Sequence, residues 1–143
     1  MLNKPGDNFK TGLMEKKVIL IIKNSKEANQ LSLFLSENQY LSHTIDGLES
    51  LDQCINTVFC NIVIFDLDSI LVDNQTIRKL TLQYPQICFL CISKDRFHPE
   101  LKDAICYHIY ACLNKPLDYD ELLYWLRCIE DNEFDETPNA GKY

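Results

Sequence analysis

The sequence predicts an α/β fold of three layers, with five parallel strands between two layers of helices. Two observations predict it. Short apolar runs alternate along the chain with segments of helical spacing, and most of the runs are apolar on both faces apart from their end residues, as strands covered on both sides are. The chain of 143 residues, 46% hydrophobic and 24% charged, is long enough to bury one core.

Taken in order, the expected strands are KVILII (17–22), the weaker YLSHTI (40–45), NIVIFD (61–66), ICFLCIS (87–93) and YACLN (110–114). Between the first two, Ser25 is placed to cap a helix whose apolar face holds Ala28, Leu31 and Leu35. Leu48, Leu51, Ile55 and Val58 fall on one face of a second helix. Ile77, Leu80 and Tyr84 mark a third that ends before Pro85. Pro99 suits a first helical position, with Leu101, Ala104, Ile105 and His108 following. Asp118 and Glu121 form the capping pair of a fifth, which carries Leu122, Trp125, Leu126 and Ile129. One domain is expected over 16–130, preceded by a flexible arm (1–15) and followed by a polar tail or linker start (131–143).

A net charge of −7 argues against a nucleic-acid surface. No apolar run approaches the roughly 18 residues that a membrane span needs, and the start shows no secretory stretch. Seven cysteines at irregular spacing, most inside apolar runs, read as buried free thiols in a reducing cytoplasm. Cys88 and Cys91 form a C-x-x-C, but three positions apart on a strand they face opposite ways and cannot share a metal or a disulfide.

In such sheets a ligand site forms beyond the carboxyl ends of the strands. The sequence contains neither GxGxxG nor GxxxxGK[ST], so no phosphate-cradling glycine loop serves that edge. What stands there instead is an aspartate (Asp66), a hydroxyl (Ser93) and a lysine (Lys115) followed by Pro116. A carboxylate can attack phosphorus, a lysine can neutralise phosphoryl oxygens, and a hydroxyl can donate a hydrogen bond to one.

NIVIFDLD, FLCIS and LNKPLDYDELL, in that order and spacing, resemble the receiver domain of bacterial response regulators over about residues 16–130. The resemblance implies a doubly wound, flavodoxin-like sheet with strand order 2-1-3-4-5 and five helices. It implies that Asp66 is the phosphoacceptor and that Ser93 and Lys115 bind the phosphoryl group. The donor would be a histidine kinase or a phosphotransfer protein, the cofactor Mg²⁺, and the recipient a fused or separate output domain. In that family the face of the fourth helix, fifth strand and fifth helix commonly makes the contacts, here with Cys112, Tyr110 and Tyr119 as switch or interface positions and His108 and Tyr124 nearby. A homodimer through that face is a further expectation.

The chain departs from the family's pattern at the metal. The two acidic positions after the first strand are Lys23 and Asn24, which raises the formal charge around Asp66 by three. At about 5 Å and an effective dielectric near 20, each unit acting on each unit of ion charge is worth roughly 3 kcal/mol, so Mg²⁺ binding is expected to be badly weakened. Asn24 and Asp68 remain as weak metal ligands, Glu27 as a less suitable one, and Lys23 as a substitute for the metal against Asp66. Lys94 replaces a small residue, Cys112 replaces the aromatic switch residue with Tyr110 as a same-face stand-in, and SILVDN replaces a Pro- and Gly-containing turn. Three functions are open on the sequence: a phosphorylated receiver, a pseudo-receiver that binds proteins without phosphorylation, and, on the D-x-D of Asp66–Asp68, a phosphohydrolase of the haloacid-dehalogenase type.

Overall fold

The five apolar runs form five strands and carry the functional edge of a single sheet; the computed structural model describes residues 16–95 and 109–134. Strand β1 (Lys16–Ile21) leads to helix α1 (Ser25–Glu37) and strand β2 (Tyr40–Ile45). A 3₁₀ turn (Leu48–Ser50) runs into α2 (Leu51–Thr57), followed by β3 (Ile62–Asp66), α3 (Asn74–Gln83) and β4 (Cys88–Ser93). Then come β5 (Ala111–Asn114) and α4 (Tyr119–Phe134). All neighbours pair in parallel, in the order β2-β1-β3-β4-β5, which is the expected 2-1-3-4-5. The helix expected from Pro99 to His108 lies outside the described residues, so four α-helices are seen within them.

Alternation along each strand divides the core between the two faces of the sheet. Ile19, Ile21, Val63 and Phe65 pack with Leu51, Ile55 and Ile77 of α2 and α3. Val18, Leu20, Ile62 and Ile64 pack with Leu31 and Leu35 of α1 and Leu122 and Leu126 of α4. Phe65 and Phe89 stack on neighbouring strands with centroids 5.4 Å apart. Cys91 belongs to the first layer and Cys88 borders the second, so the C-x-x-C pair does face opposite ways.

The helix starts differ from expectation at one point. Asn24, not Ser25, caps α1: its backbone is extended and its side chain accepts the Glu27 N–H at 3.0 Å. Ser25 is already helical, and an asparagine one residue earlier has the oxygen at the right reach. Asp118 caps α4, its Oδ1 accepting from Asp120 N at 2.9 Å and Glu121 N at 3.2 Å. Val58 packs on the core from the extended residue that closes α2 rather than from a helical turn. Gln39, past the end of α1, takes φ 67°, the left-handed region that glycine occupies without cost.

Candidate functional site at the carboxyl edge of the sheet

Three strand ends and the first turn of one helix meet at a cluster of charged side chains. β3 ends at Asp66, which is buried at 2% exposure beneath the turn that follows. Its main-chain oxygen accepts from the N–H groups of Ser69 and Ile70, which folds that turn back over the strand end. β5 is followed by Lys115, joined to Pro116 by a cis peptide bond. The Lys115 N–H donates to Ser93 O at 2.9 Å, extending the β4–β5 ladder and fixing the lysine beside β4.

The Lys115 ammonium lies 2.9 Å from Asp66 Oδ1, 3.0 Å from Asp68 Oδ2 and 3.3 Å from Glu27 Oε1. Burial alone would lower the lysine's pKa; its hydrogen bonds to Asp66 and Asp68 outweigh that and hold it above the ordinary range. Burial likewise pushes the Asp68 carboxyl up, but Lys115 and the Lys94 N–H, which donates to Asp68 Oδ2 at 3.0 Å, hold it below the usual carboxylate range. Asp66 Oδ1 also accepts the Asp68 N–H at 3.0 Å, and Oδ2 accepts the Ser69 hydroxyl at 3.0 Å. Ser93, fully buried, reaches Asp68 Oδ1 at 3.4 Å and accepts the Asp95 N–H at 3.0 Å. A cleft of about 270 Å³ beside this cluster, bordered by Ile22, Glu27, Leu31, Lys115 and Leu117, opens the Lys115–Glu27 pair to water.

Asp66, Asp68, Ser93 and Lys115 are thus brought into one cluster, whereas the residues after β1 are not. Lys23 is exposed and makes no ion pair among the described residues; the cation against Asp66 is Lys115. Asn24 spends its side-chain oxygen on the cap. Glu27, expected only as a less suitable metal ligand, pairs with Lys115 instead, and sequence reasoning missed Ser69, whose only signal is a serine three residues after an aspartate in a turn. Tyr110 does not share a face with Cys112: it lies in a bend before β5, where strand alternation does not operate. It meets Trp125 edge-on at 5.8 Å in the α1–α4 layer, while Cys112 borders the α2–α3 layer. Tyr119 stacks on Phe34 of α1 at 4.7 Å, and Tyr124 is exposed.

Three carboxylates are hard oxygen donors of the kind Mg²⁺ takes. They do not fit it here, because their oxygens converge on an ammonium and the two positions nearest β1 supply a lysine and a capping amide. Among the described residues no group of three or more His, Cys, Asp or Glu is arranged to hold an ion. None of the described helices is long and apolar enough to cross a membrane.

No family model and no curated protein matches the chain in sequence. Solved structures do resemble it. The signal receiver domain of an HD domain-containing protein from Pseudomonas fluorescens Pf-5 superposes with a TM-score of 0.75 at 23% identity, over 86% of this chain and 100% of that one. A CheY-like response regulator receiver domain protein from Methanospirillum hungatei JF-1 gives 0.72 at 14% identity, over 85% and 99%. An orphan response regulator of H. pylori gives 0.67 at 16% identity, over 80% and 95%. With the strand order and the edge just described, these likenesses settle the architecture: the chain has the fold of response regulator receiver domains.

Proposed function

We propose that the chain is a signal-receiving module rather than an enzyme, and that Asp66 takes a phosphoryl group from a phosphohistidine of a histidine kinase or phosphotransfer protein. The observation that carries this reading is the buried Asp66 at the end of β3 with the Lys115 ammonium at 2.9 Å. Asp66 Oδ2, held by a single hydroxyl, is the freer oxygen and attacks phosphorus. The P–N bond breaks, its electron pair returns to the imidazole, and the imidazole takes a proton from water. Lys115 offsets the added negative charge, and the Ser93 hydroxyl turns from Asp68 toward a phosphoryl oxygen. Movement of Lys115 then carries the change into β5 and α4, where Tyr119, Tyr124 and Trp125 offer an aromatic surface to an output domain or a second copy. The Pseudomonas structure, a receiver from an HD domain-containing protein, supports a fused output.

A phosphorylation-independent pseudo-receiver is the second reading, favoured by the engagement of both Asp66 oxygens. Incubation of the full chain with phosphoramidate, whose P–N bond resembles that of phosphohistidine, separates the two. The first reading predicts a phosphorylated species by intact mass, discharged by hydroxylamine and lost in Asp66→Asn. An unmodified chain supports the second.

A further inference from the structure

We infer that the Lys115 ammonium takes the place of the divalent cation, with Glu27 as the positioning residue that holds it beside Asp66, and that the site takes no Mg²⁺. This rests on reading the Asp66–Lys115 pair as the working site. The Asn24 cap fixes the first turn of α1, and in that turn Glu27 reaches Lys115 at 3.3 Å across 88 residues of sequence. An ammonium has three N–H donors, and three carboxylates from α1, β3 and the turn after β3 meet it. The lysine is therefore saturated, and one oxygen of each carboxylate that an ion would need is already committed to it. A divalent cation entering this cluster would have to expel Lys115 or sit against its charge. Glu27 also does what two acids at the end of β1 would do. It ties the α1 end of the rim to Asp66, but through a lysine instead of a metal.

The test uses the full chain and Mg²⁺ alone, read by backbone amide and lysine ammonium NMR. The wild type is expected to show no saturable Mg²⁺ shift at Asp66, Asp68 or Lys115, and a slowly exchanging Lys115 ammonium signal. Glu27→Gln is expected to speed that exchange at least severalfold, and Glu27→Asp to restore it in part. The double variant Lys23→Asp/Asn24→Asp, in which an aspartate can still cap α1, is expected to gain a saturable Mg²⁺ response only when Glu27→Gln is added to release Lys115. A saturable shift in the wild type that Asp66→Asn removes overturns the inference, as does an ammonium signal indifferent to Glu27→Gln or a double variant that binds Mg²⁺ with Glu27 in place. None of these readouts needs phosphorylation, so failure of Asp66 to react with phosphoramidate overturns the acceptor reading and leaves this measurement intact.

Discussion

The ammonium of Lys115 is closer to Asp66, at 2.9 Å, than to either of its other carboxylate partners, and Asp66 is the most buried acid in the cluster. Removing the lysine strands a buried carboxylate. Lys115→Ala is expected to cost about 3 kcal/mol, the low end for a broken buried pair because the adjoining cleft admits water. Asp66→Asn leaves Lys115 with Asp68 and Glu27 and should cost less. Urea midpoints of the two variants check the order.

The Ser69 hydroxyl occupies the Asp66 oxygen to which the proposed chemistry assigns the attack. Ser69→Ala should speed phosphorylation by phosphoramidate at least about tenfold, since a hydrogen bond to a charged group is worth roughly 1.5 kcal/mol or more. An unchanged rate, followed by intact mass against time, would mean that Oδ2 is not the attacking oxygen.

Stability should depend on pH through the same cluster. Lowered in the fold, the Asp68 pKa makes its contribution fully present above the unfolded value of about 3.9 and lost as pH falls through the folded value. The raised Lys115 pKa works the other way: its contribution is present below about 10.4 and lost as pH rises through the folded value. The destabilisation caused by Asp68→Asn should therefore be full at neutral pH and shrink in acid, whereas that of Lys115→Met should be full at neutral pH, shrink in alkali as the ammonium is lost, and shrink in acid as its carboxylate partners are protonated. Urea melts across pH measure both.

Gln39 offers a test of the backbone away from the site. With φ 67° past the end of α1, Gln39→Gly should stabilise the fold by about 0.5–1 kcal/mol, the roughly 1–2 kcal/mol cost of the left-handed conformation less the roughly 0.5–1 kcal/mol entropy cost of glycine. A lower urea midpoint would show that the side chain matters more than the backbone.

Much of this fold was legible because burial leaves a plain mark on sequence. β3 is buried at all five positions and β4 at five of six, and runs such as IVIFD and FLCIS have no other home than the middle of a covered sheet. The strand ends were legible with them, so Asp66, Ser93 and Lys115 could be placed on one edge. Contacts that depend on the third dimension were not. Glu27 meets Lys115 across 88 residues, and nothing near residue 27 signals that partner. Asn24 and Ser25 are both good caps, and only the backbone decides between them. Tyr110 was misplaced because alternation was carried one residue beyond the strand it belongs to.

Beryllofluoride, a phosphoryl mimic, tests the central claim most directly, added to the full chain with and without Mg²⁺ beside Asp66→Asn and read by amide NMR. An acceptor whose charge is balanced by Lys115 predicts shifts at Asp66, Ser93 and Lys115 without added Mg²⁺, lost in the variant. Shifts that need Mg²⁺ would contradict the lysine's part, and no shift at millimolar beryllofluoride would contradict the acceptor itself.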